Sequence, residues 1–155
     1  MDWLDHQAYA LDREREGVDE GGETVIPLLN GVLALKQRRD AIYRANGYDG
    51  YISDLIALNR SVKDIRHYDC RHETYLEQLP SVSVILPFHN EHFSTLMRSV
   101  YSVLNRSPPE VLKEVILVDD ASTKPALKGP LEEYLRVHGL EDKVGRVGEG
   151  FLKSC

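Results

Sequence analysis

Two adjacent carboxylates, Asp119 and Asp120, close the apolar run Val115-Ile116-Leu117-Val118 and are followed by Ala121-Ser122. A carboxylate only accepts hydrogen bonds, so such a pair can hold a cation, receive a ring N–H, or cap a turn. The β-branched run ahead of it reads as a strand buried on both faces, as in parallel sheets. That puts the pair at the rim formed by the carboxyl ends of the strands, where open α/β sheets bind ligands. Two readings stand side by side. Either the pair is a ligand site, or Asp119 ends the strand while Asp120 or Ser122 caps a turn. A second chemically capable stretch, Pro87-Phe88-His89-Asn90-Glu91, ends the run Val82-Ser83-Val84-Ile85-Leu86. His89 and Asn90 can donate to ribose or carbonyl oxygens, and His89 reads equally as a turn histidine bonded to backbone.

These residues need elements to position them. Val82, Val84, Ile85 and Leu86 form a strand that Pro87 is expected to stop. Phe93, Leu96, Met97, Val100, Val103 and Leu104 share one helical stripe, and Pro108-Pro109 ends that helix. With the strand before Asp119 this makes a βαβ unit with a right-handed crossover on a parallel sheet. Its two strand ends lie side by side, so the His89 and Asp120 segments converge on one rim. Residues 129–139 predict a further helix, with Pro130 in its first turn, Leu131, Tyr134 and Leu135 inside, and Gly139 as its stop. Val144 and Val147 stand amid three glycines in the stretch 143–155, a poor strand.

Upstream, residues 1–30 are acidic and punctuated by glycine, and read as a flexible arm or linker. Residues 31–80 read as a helical and irregular segment. Within it a helix runs from Gly31 to Asn46-Gly47, Ile52, Leu55, Ile56 and Leu58 are spaced for a short helix or an irregular packed segment with Ser53 suited as an N-cap, and a polar surface connection follows.

A length of 155 residues suits one domain with a core of its own. The net charge of -6 leaves no basic surplus for phosphates, which excludes a nucleic-acid binder. No apolar run approaches the length that crosses a bilayer, and the charged N-terminus is unlike a secretory signal. Cys70 and Cys155 form no CxxC and no zinc spacing. The triplet Asn-Arg-Ser occurs at Asn59 and Asn105 and matches the N-glycosylation acceptor pattern; Pro108 makes the second the poorer candidate. Neither GxGxxG nor GxxxxGK[ST] is present, so a nucleotide here would be held by its base, an aspartate accepting from a uracil ring N–H.

The stretch from Ser81 to Ser122, with its Phe-His-Asn-Glu, the helix, Asn-Arg-Ser-Pro-Pro and Val-Asp-Asp-Ala-Ser in order, resembles the start of the catalytic domain of the polypeptide N-acetylgalactosaminyltransferases. The segments Tyr51–Cys70 and Asp2–Glu14 resemble what precedes that domain in the family. The resemblance implies an α/β fold, a partial GT-A, Rossmann-like parallel sheet with flanking helices. It places the start of the glycosyltransferase domain at 81–141 and an atypical tail at 142–155. It implies a UDP site made of Pro87, Phe88, His89 and Asp120, with Asp120 on the uracil and His89 against the nucleotide. Pro87 departs from the small or hydroxyl side chain frequent at that place. Cys70 resembles a family cysteine whose disulfide partner lies far downstream. The family holds Mn2+ with an Asp-x-His and a later histidine; neither has a counterpart here, so no metal or catalytic residue is assigned. The resemblance further implies a truncated member, inactive alone. Its parent activity moves N-acetylgalactosamine from UDP-GalNAc to Ser or Thr of acceptor proteins in the Golgi lumen. The alternatives are a non-enzymatic nucleotide- or partner-binding α/β module, or an unrelated doubly wound domain using acidic rim residues for a metal.

Overall fold

The structure, a computed structural model, describes Trp3, residues 5–23 and residues 33–148. It divides into two compact units, 1–79 and 80–155, where the length suggested one domain. Every buried apolar side chain among the described residues belongs to the second unit.

In the first unit α1 (His6–Arg13) opens with Asp5, whose side chain accepts from the Ala8 amide at 2.8 Å. The acidic stretch expected to be a flexible arm thus holds a helix; its residues 24–30 lie outside the described set. α2 (Leu33–Asn46) ends at Gly47, whose φ of +79° suits a residue without a Cβ. α3 (Gly50–Leu55) is capped by Asp49, which accepts from the Ile52 amide at 3.2 Å and takes Arg39 Nε at 2.5 Å. Ser53 is therefore not the N-cap; it is buried inside α3. The aspartate wins because a carboxylate caps as well as serine does and also gains the arginine.

The second unit is a three-stranded parallel sheet in the order β1-β2-β3. It is built from β1 (Val82–Phe88), α4 (Phe93–Arg106), β2 (Leu112–Asp119), α5 (Gly129–Val137) and β3 (Val144–Val147). β3 falls within the stretch 142–155 set aside as a tail. Its glycine at position 145 lies opposite Ile116, and pairing with β2 makes a strand of a segment that propensity alone disfavours.

Pro87 does not stop β1; the strand continues to Phe88. The carbonyl of Phe88 faces β2, where it accepts from the Asp120 amide at 2.9 Å. Neighbouring residues face opposite ways, so the position of the missing Pro87 N–H is on the open side of an edge strand, where no ladder bond is lost.

Both crossovers step the sheet in the same direction, and right-handed connections then put α4 and α5 on one face. The contacts agree: Tyr134 of α5 meets Phe93 of α4 edge-on at 5.3 Å, and its hydroxyl lies 3.2 Å from that of Tyr101. Under these helices Val115, Leu117 and Val144 are buried with Met97, Val100, Leu131 and Leu135. Each such side chain contributes about 1.5–3 kcal/mol over leaving it in water. The opposite face, carrying Ile85, Pro87, Ile116, Val118 and Val147, is not the one that α4 and α5 cover, and Ile85 is 61% exposed.

Candidate functional site

The register pairs Phe88 with Asp119, so β1 and β2 end together and their following loops share one rim. Asn90 (φ +47°) and Ala121 (φ +55°) both turn the chain through the left-handed region. Asparagine tolerates that region better than most residues, whereas Ala121 is held there by its surroundings.

What holds the two loops is a set of cross-links from Asn90. Its amide donates to Ser122 Oγ at 2.8 Å, and its Oδ1 accepts from the amides of Thr123 at 2.7 Å and Lys124 at 3.0 Å. Its Nδ2 lies 3.1 Å from His89 Nε2. His89 Nδ1 lies 2.5 Å from the Asp120 carbonyl, so Nδ1 carries the proton and Nε2 is the acceptor for Asn90. His89 is thus a turn histidine bonded to backbone, and at the same time an exposed ring on the rim.

The two carboxylates have separate fates, as alternation along a strand requires. Asp119 is buried, its side chain fully so. Its Oδ1 accepts from the Ser122 amide at 2.8 Å, and its Oδ2 takes Lys128 Nζ at 3.0 Å and Arg146 Nη2 at 2.9 Å. Burial alone would raise its pKa, but the bonds from Ser122, Lys128 and Arg146 prevail and hold it well below the usual carboxylate range. Arg146 also pairs with Glu132. Asp120 is exposed, and its carboxylate makes no hydrogen bond or ion pair among the described residues.

Of the residues expected at a UDP site, His89 and Asp120 lie side by side on the rim and Pro87 is exposed on β1. Phe88 is 6% exposed and supports the corner from beneath through its carbonyl. Cys70 lies in the other unit as an exposed free thiol, and Cys155 is outside the described residues. Sequence reasoning assigned Asn90 to a ligand and missed its clamping of residues 122–124. The available signal was its position directly after a strand, where a left-handed turn favours Asn. It also missed Lys128 and Arg146, which no local spacing ties to Asp119.

Among the described residues no group of three His, Cys, Asp or Glu could hold a metal ion. Asp119 is already neutralised by two cations, which leaves Asp120 as a lone ligand. The residues present do not fit Mn2+.

The first unit contains a cleft of about 610 Å³ lined by residues including Arg15, Glu20, Ser61, Lys63 and Arg71. Its charges largely satisfy one another: Arg15 pairs with Glu20 at 3.2 Å, and Arg71 donates to the Asp64 carbonyl at 3.0 Å.

Residues 83–149 match the family described as glycosyl transferase family 2. A putative polypeptide N-acetylgalactosaminyltransferase 10 of Caenorhabditis briggsae is 55% identical over 90% of this chain and 22% of its own length. The human polypeptide N-acetylgalactosaminyltransferase 10 is 49% identical over 86% of this chain and 21% of its own. The chain therefore spans about a fifth of the length of the curated relatives it matches. Among solved structures, GalNAc-T7 with UDP, GalNAc and Mn2+ superposes with a TM-score of 0.77 at 36% identity, covering 86% of this chain and 24% of that one. In sequence and in fold alike, the chain belongs to the polypeptide N-acetylgalactosaminyltransferase family.

Proposed function

We propose that residues 80–148 form the uridine-binding corner of an enzyme that transfers N-acetylgalactosamine from UDP-GalNAc to Ser or Thr hydroxyls of proteins in the Golgi lumen. The observation that carries this reading is the split between the carboxylates: Asp119 is buried and neutralised, while Asp120 stands exposed and unpartnered beside the His89 ring. Asp120 would accept from the uracil ring N–H, with His89 lying against the nucleotide and Pro87 and Phe88 shaping the floor. The solved relative that holds UDP, GalNAc and Mn2+ supports the reading. Among the described residues the metal has no site.

The test is calorimetric titration of UDP into residues 1–148 joined to the remaining catalytic half of a relative. Losing the Asp120 acceptor leaves the base N–H unpaired and costs about 1–3 kcal/mol. That is roughly a tenfold to hundredfold weaker Kd for Asp120→Ala, which removes both acceptor oxygens, at about 1.4 kcal/mol per decade. A variant that binds UDP as tightly as the parent sinks the assignment.

A further inference from the structure

We propose that Asn59 is a site of N-linked glycosylation and that Asn105, in the same Asn-Arg-Ser triplet, is left unmodified. The two asparagines are both exposed, so exposure does not separate them. Their surroundings do.

Asn59 lies in a turn after α3, with the Arg60 amide donating to the Ala57 carbonyl at 3.2 Å. The Arg15 guanidinium takes its backbone carbonyl at 2.8 Å and its Oδ1 at 3.1 Å. Its Nδ2 has no hydrogen-bond partner among the described residues. Nδ2 is the atom that N-glycosylation modifies, so a sugar there leaves both arginine contacts in place. The turn accepts the modified residue without rearrangement.

Asn105 is the penultimate residue of α4, and its triplet runs directly into Pro108. Proline forces the residue before it into extended backbone, and Ser107 is found at φ -107° and ψ 131°. Pro108 thus withholds helical and turn backbone from the serine of this triplet. The looped conformation that couples hydroxyl and carboxamide is thereby disfavoured in the unfolded chain as well as in the folded one.

Timing follows from Ser61, the hydroxyl residue of the first triplet. It is 2% exposed, its Oγ donating to Glu20 Oε2 at 2.6 Å and accepting from the Gly21 amide at 3.0 Å. A modifying enzyme can reach that hydroxyl only before residues 20 and 21 close over it, so the sugar is added to the emerging chain. In the reaction Nδ2 attacks the anomeric carbon of an oligosaccharide carried on a lipid diphosphate. The carbon–oxygen bond to the diphosphate breaks as the nitrogen–carbon bond forms. Nδ2 gives up one proton to a base of the modifying enzyme, and the lipid diphosphate departs.

The experiment expresses the full 155-residue chain behind a cleavable secretory leader in eukaryotic cells. Lumenal entry is then imposed and does not depend on the proposed transferase function; leader cleavage reports it. Whole-cell protein is treated with peptide N-glycosidase in heavy-oxygen water, which converts each glycosylated asparagine to labelled aspartate, and peptides are read by mass spectrometry. Label at position 59 and none at 105 is expected, with the mobility shift lost in Asn59→Gln and kept in Asn105→Gln. Arg60→Pro, which keeps both Asn59 and Ser61 but blocks the triplet, should also lose the shift. Whole-cell material includes misfolded chains, so a folding defect in a variant does not hide the result. A leader-cleaved chain without label at 59, label at 105, or a shift that survives Asn59→Gln overturns the proposal.

Discussion

Replacing Asp119 by asparagine isolates the contribution of one charge, because the new Oδ1 still accepts from the Ser122 amide. What disappears is the attraction to Lys128 and Arg146. Lys128 is 40% exposed, so its share is that of a surface pair, about 0–1 kcal/mol. Arg146 is 15% exposed, and hydrogen bonds to a buried charge of this kind contribute about 1.5–3 kcal/mol. Full loss of a buried partner costs about 3–5 kcal/mol, but Arg146 keeps Glu132, which is 63% exposed, so the lower figure applies. The expected cost is therefore about 2–3 kcal/mol at neutral pH. Urea unfolding of the whole chain, with hydrogen exchange read on peptides spanning 112–119, measures it. The sign of the pH dependence is fixed by the depressed folded-state pKa of Asp119. Its contribution is fully present above the unfolded value of about 3.9 and is lost as pH falls toward the folded one. The gap between parent and Asp119→Asn should accordingly narrow from pH 7 toward acid. A variant as stable as the parent at pH 7, or a gap that widens on acidification, would refute the reasoning.

Asn90→Ala removes the acceptor shared by the Thr123 and Lys124 amides and puts alanine at φ +47°; it should weaken UDP binding in the joined enzyme even with Asp120 intact. The same calorimetric titration checks it, and Asn90→Gly, which relieves the backbone strain but not the lost acceptor, should not restore affinity. Glu20→Gln should destabilise the first unit by about 1–2 kcal/mol at pH 7, since Ser61 and Arg15 lose a charged partner. Burial raises the Glu20 pKa, yet Ser61, Arg15 and Arg60 bring it below its ordinary value, so the deficit should shrink in acid; hydrogen exchange over residues 57–64 reads it. Met97→Ala empties a site with 0% exposure between α4 and the sheet and should cost about 2–5 kcal/mol in urea unfolding.

The parts of the fold that were legible in the sequence are those whose signal is local. The α4 stripe repeats at helical spacing, and Leu96, Met97 and Val100 are buried as that repeat requires. The run before Asp119 is a parallel strand with buried Val115 and Leu117. What was misread depends on neighbours. Whether a proline ends a strand is decided by which side its missing N–H faces, and Pro87 faces an open edge. Whether Val144-Gly145-Arg146-Val147 is a strand is decided by β2 beside it. The capping of α3 by Asp49 was obscured because Ser53 also precedes an apolar residue at a plausible spacing. At the rim, His89 and Asp120 were legible as residue types at strand ends. The roles of Asn90, Lys128 and Arg146 were not, because each is defined by a partner 9 to 34 residues away.

The cross-links made by Asn90 bear on the entropy of binding. Ordering a loop residue costs on the order of 1–2 kcal/mol, and a nucleotide that had to immobilise residues 121–124 itself would spend much of its contact energy on doing so. Here Asn90 and Ser122 fix that loop through bonds that involve no ligand. Exposed Asp120 is then presented on a scaffold already set before any encounter. Variation among ligands at this corner should therefore show up in how fast they leave rather than in how fast they arrive.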